Sequence, residues 1–358
     1  MVSHSVFKPI RYFNLILLLV LTSCTSTGPR TLHLQTETEH YRLWPATPEQ
    51  PRYRYLGQLT GEKNFFEKKS EGGSVASFFK WLIGLDEQSQ KQDVLQRPQG
   101  GMVDEKGRIY VTDISRGAVF VFDEMAGQLL LWQWAETNVA FKAPIGIVKT
   151  NQGEILVADA DLAQVCRLDE NGKPIGVFGK GLLKRPTGLA YDSVSQQIYV
   201  ADSHTHNIKV FNRNGTLINT FGKRGRKKGE FNGPTYLSFK NNRLYVTDTL
   251  NARIQVFDKS GQHLLSIGKR GLYVGNLTRP KGVAVDQQGN VYVIESYHDH
   301  LLVFDKHGQY LLPIGGTGKG VGQFFLPAGV WTDLNNRIYI ADMFNGRVVV
   351  LQHLESPS

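Results

Sequence analysis

One short strand-like pattern that ends in an acidic residue recurs six times along the chain. The copies begin 43 to 47 residues apart, which is the spacing of four-stranded propeller blades. A helical repeat of that length would show a 3.6-residue period, whereas these segments are rich in Val, Ile and Tyr and are typical of strands. The copies are IYVTD (109–113), ILVAD (155–159), IYVAD (198–202), LYVTD (244–248), VYVIE (291–295) and IYIAD (338–342).

The residues around each copy predict a complete antiparallel unit. A Pro-x-Gly start, such as RPTGLAYD, precedes the acidic strand, and a third strand such as RIQVFD and a fourth such as HLLSIGKRG follow it. Asp or Asn with Gly separates the last two strands, as tight hairpins require. Two copies depart from the pattern: Tyr236 replaces the Gly of the fourth unit, and Glu295 replaces the Asp of the fifth.

The two ends of the repeat region complement each other. The sixth unit stops after its third strand, RVVVLQHLE (347–355), while RYRYLGQLTGE (52–62) resembles the missing fourth strand. Pairing them would close the ring and leave no open sheet edge. The sequence therefore predicts an all-β, six-bladed β-propeller over 97–355, with residues 52–60 as the closing strand of the last blade.

Two stretches carry a resemblance to a known repeat family. TDTLNARIQVFD, with Asp248, Asn251 and Arg253 at the family's spacing, and ADMFNGRVVVL resemble NHL repeats. Over roughly 97–351 the chain is similar to the bacterial six-bladed NHL-type propeller lipoproteins. Repeats one, two and five lack the Asn, so we expect their turns to be held differently. Because NHL propellers bind RNA or protein on one loop face, the resemblance implies a binding surface there.

The first residues look like an export signal. Lys8 and Arg11 precede an apolar run that ends in LTSC, and Leu21, Thr22 and Ser23 before Cys24 resemble the lipobox of bacterial lipoproteins. The resemblance implies a signal peptide over 1–23 and lipid, including palmitate, on Cys24, with Thr25 favouring the outer membrane of the cell envelope. A secretory signal with a coincidental Cys is the alternative. Residues 24–51 are predicted to be a tether.

Residues 61–96 do not fit the repeat. Within them SVASFFKWLIGLDEQ (74–88) places Val75, Phe78, Phe79, Leu82 and Leu85 along one helical stripe. We expect an inserted helix that caps the propeller or packs on a blade. The alternatives are contact with the membrane interface or with a partner.

The repeated acids and the loop histidines are the candidates for a metal site. The acids Asp113, Asp159, Asp202, Asp248 and Asp342 are interpreted as structural turn residues, because every hairpin needs a carboxylate there. His204, His206, Glu295, His298 and His300 are weak metal-ligand candidates. The four histidines are expected to face solvent, and Glu295 also occupies the turn position of the repeated acids. Cys166 is expected to be a buried small hydrophobe. No cofactor is predicted.

The blade-to-blade loops concentrate positive charge. The chain has a net charge of +9, and the predicted strand directions place these loops on the face that also carries the second-to-third loops. Such a surface suits a protein or an anionic glycan, while nucleic acid is not expected for an exported chain. A solvated rim that aids solubility is the alternative. The predicted ligand-binding rim consists of Arg185, Lys223, Arg224, Arg226, Lys227, Lys228, Lys269, Arg270 and Arg279.

Two functions remain open from the sequence. The first is a non-enzymatic binding scaffold, since no nucleophile elbow, HExxH helix or phosphate loop occurs. The second is a metal-dependent propeller enzyme, because related propellers include the peptidylglycine amidating lyase and gluconolactonase-type hydrolases. The lyase holds zinc with histidines at the starts of its inner strands. The six corresponding starts of this chain, five Pro-x-Gly and one Pro-x-Tyr, contain no histidine. The sequence therefore favours the scaffold.

Overall fold

The computed structural model describes residues 30–36, 42–67 and 93–354, and in them six antiparallel sheets form the blades of a propeller. The first strand of each blade contacts the first strands of its two neighbours, so these strands surround the axis. Blades 1 to 3 consist of Pro98–Val103, Ile109–Asp113, Ala118–Asp123 and Gln128–Trp132; Pro144–Lys149, Ile155–Asp159, Gln164–Leu168 and Pro174–Phe178; and Pro186–Asp192, Gln197–Asp202, Asn207–Phe211 and Leu217–Phe221.

The second half of the ring repeats this arrangement. Blade 4 consists of Pro234–Lys240, Arg243–Asp248, Arg253–Phe257 and His263–Ile267, and blade 5 of Pro280–Val285, Val291–Glu295, His300–Phe304 and Tyr310–Gly315. Blade 6 consists of Val330–Thr332, Arg337–Asp342, Arg347–His353 and Tyr53–Leu59, with Leu43–Trp44 added outside. The smaller elements are a hairpin of Trp134–Glu136 and Val139–Ala140 and the 3-10 turns Glu62–Asn64, Thr249–Asn251 and Met343–Asn345.

Blade 6 confirms the predicted ring closure. Tyr53–Leu59 pairs antiparallel with Arg347–His353, placing Leu59 opposite Val348 and Tyr53 opposite His353. One sheet is thus built from strands nearly 300 residues apart along the chain. The closed ring leaves the first strand of each blade packed against a neighbour on both sides.

The Pro-x-Gly starts allow the inner strands to approach closely. A Cβ atom added at Gly100 would lie 2.7 Å from the carbonyl oxygen of Ile145, and one at Gly146 would lie 2.5 Å from that of Thr187. Contacts this short exclude any side chain, so glycine is required where neighbouring inner strands meet. Tyr236 of blade 4 is the exception described below.

Part of the segment predicted to be a tether, residues 24–51, is paired with strands of the structure. Residues 30–36 and 42–51 are described, and Arg30–Leu32 pairs with Phe65–Glu67 while Leu43–Trp44 pairs with Tyr53 and Arg54. Trp44 is buried against the last blades. These residues pack against the propeller because the segment contains apolar side chains such as Trp44, which its Thr and Pro content did not indicate.

The inserted segment leaves and returns to the ring at one point. Gly61 and Val94 form a β-bridge, and Leu95 is buried beside blade 1. The predicted helix over 74–88 and the predicted leader with Cys24 lie outside the described residues. Within the residues that the structure describes, no helix is long and apolar enough to cross a membrane.

The hydrophobic core lies between adjacent blades. Consecutive side chains of a strand pack alternately against the blade on one side and the blade on the other. Cys166 is completely buried in the layer between blades 1 and 2, which confirms that it is a small core hydrophobe. Its burial raises the pKa of the thiol to about 12, so the thiolate that nucleophilic chemistry requires is disfavoured.

Candidate functional site

The six repeated acids are buried anchors for the loops of one face. Asp113 accepts hydrogen bonds from the backbone N–H groups of Gln96 (2.6 Å) and Arg97 (2.8 Å), and Glu295 accepts them from Thr278 and Arg279. Because these donors lead into the first strand of the same blade, the blade-to-blade and second-to-third loops lie together on what we call the loop face. The corresponding carboxylates of the other blades make the same kind of contact: Asp159, Asp202, Asp248 and Asp342.

In blade 4 an Asp–Asn–Arg triad fixes the loop between blades 3 and 4, residues 222–233 (loop 3/4). Asp248 accepts hydrogen bonds from Nε of Arg253 (2.9 Å) and Nδ2 of Asn251 (2.8 Å). Nη2 of Arg253 then donates to the carbonyl oxygens of Lys227 (2.8 Å) and Glu230 (2.9 Å). The triad therefore joins a buried carboxylate to the backbone of a loop that carries most of the predicted rim.

Blade 6 contains the same triad in Asp342, Asn345 and Arg347. Arg347 donates to Asp342 at 2.8 Å and to the carbonyl oxygens of Gly320 and Gln323 in the loop between blades 5 and 6, residues 315–326 (loop 5/6). Burial raises the pKa of Asp342, and the hydrogen bonds from Asn345 and Arg347 oppose this effect. In both blades that have the full motif, the arginine thus joins the buried acid to the backbone of the preceding blade-to-blade loop.

Blade 3 has Asn207 where blade 4 has Arg253, and a lysine two residues further along, Lys209, contacts the repeated acid instead. Nζ of Lys209 lies 2.9 Å from Asp202 and also donates to Thr205 and Asn207. Burial alone would raise the pKa of Asp202, but the contact with Lys209 and the backbone donors outweigh it and lower the pKa. The turn of blade 3 is therefore also held by different donors, which the sequence led us to expect only for repeats one, two and five.

Blade 5 places His298 and His300 where blade 4 has Asn251 and Arg253. Nδ1 of His300 contacts the carbonyl oxygen of His298, within the same turn. Burial lowers the pKa of His300 and favours the neutral ring. Across the described ranges, neither ring makes a hydrogen bond to the loop between blades 4 and 5, residues 268–279 (loop 4/5).

The predicted metal candidates are not assembled into one site. Nδ1 of His206 accepts a hydrogen bond from the backbone N–H of Gly233 (2.9 Å), while His204 is exposed. Burial, with the nearby charges of Arg224 and His204, lowers the pKa of His206. Among the described residues no group of three or more His, Cys, Asp or Glu side chains is placed to hold a metal ion.

The predicted rim is exposed on the loop face, and two of its loops share one turn with loop 5/6. Arg224 bridges to Phe231, Arg270 to Leu277 and Thr317 to Phe324, with the second residue of each pair completely buried below the loop. Some of the charges are paired: Arg185 lies 3.0 Å from Asp161, and Lys223 lies 3.7 Å from Glu230. All nine rim residues are exposed: Arg185, Lys223, Arg224, Arg226, Lys227, Lys228, Lys269, Arg270 and Arg279.

The loop face also presents apolar side chains that sequence reasoning missed. Leu272, Tyr273 and Val274 form the tip of loop 4/5, and Tyr273 is 84% exposed. The signal in the sequence is three consecutive apolar residues between two glycines inside a charged loop. Further exposed apolar residues on the same face are Leu250, Tyr297, Phe325 and Phe344.

The propeller axis is crossed by a side chain that the repeat does not predict. Tyr236 stands where the other blades have glycine, and its hydroxyl donates to the carbonyl oxygen of Gln99 at 3.3 Å. Gln99 belongs to blade 1, which lies opposite blade 4 in the ring. Burial raises the pKa of Tyr236 above its usual range, so the hydroxyl keeps its proton and remains a donor.

Two cavities differ in their chemistry. One of about 210 Å³ lies on the loop face and is lined by Arg226, Asn251, Arg253 and Arg270. Another of about 820 Å³ lies on the opposite face, where its lining mixes acids, lysines and aliphatic residues of turns 104–107 and 332–335 and of residues 32–34. The sequence analysis predicted neither, because the lining residues of each come from separate loops.

Comparison with known families agrees with this architecture. A family model described as a 6-bladed beta-propeller matches residues 274–353, and the NHL repeat model matches residues 183–211. The chain is therefore a six-bladed β-propeller that contains an NHL repeat.

Individual relatives share parts of the chain or its fold. Human NHL-repeat-containing protein 4 is 35% identical over 75 residues, which cover 21% of this chain and 59% of that protein. The structure of a gluconolactonase from Xanthomonas campestris aligns with a TM-score of 0.59 and 15% identity over 91% of this chain and 98% of that one. Virginiamycin B lyase from Staphylococcus aureus aligns with a TM-score of 0.53 and 14% identity over 72% and 96%. At these identities the two enzyme structures show the fold alone.

Proposed function

We propose that this protein is exported and lipid-anchored in the bacterial cell envelope, and that its propeller is a non-enzymatic scaffold. In this proposal the loop face binds a protein or an anionic envelope polymer. The lipid anchor rests on the lipobox-like Leu21, Thr22, Ser23 and Cys24. Thr25 after the cysteine favours the outer membrane.

The observation that carries the proposal is the composition of the loop face. Nine exposed basic residues lie on loops beside exposed Leu272, Tyr273 and Val274. Exposed cations raise the local concentration of anionic partners, and exposed aromatic and aliphatic residues supply contact area that a solubilising rim does not need. The buried triad of blade 4 supports loop 3/4, which carries five of these nine residues, from below, and this reduces the entropy lost on binding.

The test is capture by the full-length chain, purified in detergent, of envelope proteins after cross-linking, together with its binding to lipopolysaccharide. Neutralising Lys223, Arg224, Lys227 and Lys228 to Gln should abolish saturable binding of either class. A charge-matched control neutralises four exposed residues in turns of the opposite face: Lys106, Lys173, Arg213 and Lys306. Equal losses in the two variants would contradict a specific surface.

A second candidate, a metal-dependent lyase-like or lactonase-like enzyme, is favoured by one observation. Nδ1 of His298 is buried and has no hydrogen-bond partner in the described part of the chain, as a ring held ready for a ligand would be. Elemental analysis of the same preparation tests this candidate. A stoichiometric metal that is lost in His204→Ala or His298→Ala would replace the scaffold with the enzyme.

A further inference from the structure

The cavity of about 210 Å³ on the loop face brings together three arginines from two loops and one strand. Arg226 comes from loop 3/4, Arg253 from the third strand of blade 4 and Arg270 from loop 4/5. The remaining lining residue is Asn251, so no acidic side chain lines the cavity. A concave site with this composition attracts anions more strongly than an open basic surface.

Arg253 forms the fixed part of the cavity. Its Nε binds Asp248 and its Nη2 binds two carbonyl oxygens of loop 3/4, and these contacts leave Nη1 unused. The carboxylate of Asp248 is completely buried and is also occupied by the backbone N–H of Asn232. The positive charge of Arg253 is thereby compensated by Asp248, and the position of its guanidinium group is set before any ligand binds.

Arg226 and Arg270 supply the uncompensated charge. The Arg226 guanidinium makes no hydrogen bond or ion pair with any described residue. Arg270 uses one donor, from Nη2 to the carbonyl oxygen of Leu250 at 2.6 Å, and has no acidic partner among the described residues. Both side chains are exposed, so their remaining donors are accessible from solvent.

Asn251 adds a hydrogen-bond acceptor to these donors. Its Nδ2 is used by Gly225 and Asp248, at 2.8 Å each, which leaves Oδ1 available. An oxyanion that carries a neighbouring hydroxyl group would satisfy both kinds of group at once. Three guanidinium groups offer more donors than the two oxygens of a carboxylate can accept, which favours the larger set of oxygens on a phosphate.

We propose that the cavity lined by Arg226, Asn251, Arg253 and Arg270 binds the phosphate group of a hydroxyl-bearing phosphate ester. This inference rests on the proposed function, because it defines the chemical group that the loop face recognises. The same group occurs in phospholipid headgroups and in phosphorylated glycans.

Isothermal titration of the full-length chain with glycerol 3-phosphate, at an ionic strength fixed with sodium chloride, tests the proposal. We expect saturable binding at one site, weakened roughly tenfold or more in Arg226→Gln/Arg270→Gln because two charge-assisted contacts are lost. The control Arg213→Gln/Lys306→Gln removes two exposed charges from the opposite face and should bind as the unaltered protein does. Thermal melting should confirm that both variants are folded.

Three results would overturn the proposal: no saturable binding, equal binding by the Arg226→Gln/Arg270→Gln variant, or equally tight binding of glucuronate, which carries a carboxylate instead. Competition by phosphatidylglycerol vesicles distinguishes the two sources, since competition indicates a lipid headgroup and its absence a soluble ester or glycan. If glycerol 3-phosphate fails to bind while envelope partners are still captured, the cavity assignment is wrong and the scaffold remains. If glycerol 3-phosphate binds but no envelope partner is captured, the scaffold proposal alone is rejected.

Discussion

Loops 4/5 and 5/6 share a backbone turn but differ in the side chains that support them. Each loop is closed by a β-bridge, and the second residue of that bridge is completely buried below the loop: Leu277 in loop 4/5 and Phe324 in loop 5/6. Loop 5/6 is also bound by Arg347 and Asn345 of blade 6, whereas the equivalent His300 and His298 of blade 5 do not reach loop 4/5. The buried residue and the glycines therefore set the shape of both loops, and the triad adds a second restraint to loop 5/6 alone.

The loop without that second restraint is the one that presents apolar residues to solvent. Leu272, Tyr273 and Val274 lie at the tip of loop 4/5 and have little support from the propeller. Fewer contacts give a segment a lower free energy of local opening. Loop 4/5 is therefore expected to deform more easily than loop 5/6, while the triad of blade 4 holds the charged loop 3/4 in place.

The largest expected effect is on stability when a triad loses its arginine. Arg347→Met leaves the completely buried carboxylate of Asp342 without its counter-charge, which should cost about 3 kcal/mol in the free energy of unfolding. His300→Met, at the equivalent position of blade 5, should cost less than about 1 kcal/mol because no ion pair is broken. Urea unfolding measures both, and similar losses would remove the distinction between the loops.

A transplanted triad should give loop 4/5 the missing restraint. Glu295→Asp/His298→Asn/His300→Arg recreates the blade 4 motif, and the new contacts should add about 1 kcal/mol to the free energy of local opening. The measurement is amide hydrogen exchange of residues 271–277, which should slow several-fold. His298→Asn alone is the control, and exchange slowed equally by that single change would show that the arginine is not the restraint.

The smallest expected effect is the contribution of His300 in blade 5 to the pH dependence of stability. Burial lowers the pKa of His300 below its ordinary 6.5, with opposing contributions from the contact with His298 and from Asp299 and Glu295. The folded protein then binds fewer protons than the unfolded chain, so stability is complete above pH 6.5 and falls as the pH drops towards the folded-state pKa. Between pH 7.5 and 5.5, urea unfolding should show a smaller loss in the free energy of unfolding for His300→Gln than for the unaltered protein.

Exposed His307 on the opposite face provides the control for this measurement. His307→Gln should follow the pH dependence of the unaltered protein. A slope that is unchanged in His300→Gln would show that the ring titrates alike in the folded and unfolded states.

The ring could be predicted from the sequence because its determinants are local and repeated. A strand pattern recurs in all six units, and a Pro-x-Gly start and a Gly-containing turn in five each. The missing strand of blade 6 identified its partner upstream. The limit of this reasoning appears at 30–36 and 42–51. There isolated residues such as Trp44 decide the packing, and no period marks them.

The candidate site was predictable only as a charged face. Each rim residue could be placed on a loop, but the proximity of Arg226, Arg253 and Arg270 depends on how two loops fold over one blade. Similarly, Tyr236 was visible as an exception to glycine, yet its contact with Gln99 requires the diameter of the assembled ring. Repeats predict position within a unit, whereas sites form between units.

Because the sixth blade combines an early and a late strand of the chain, it also determines when the ring can close. Its outer strand Tyr53–Leu59 is synthesised among the first parts of the ring, and its partner Arg347–His353 among the last. Contacts between such distant segments form slowly, because closing a long loop costs entropy before any pairing compensates for it. During synthesis, then, the early strand has an unpaired edge until the end of the chain is made, and this interval is when the nascent protein most needs protection from aggregation.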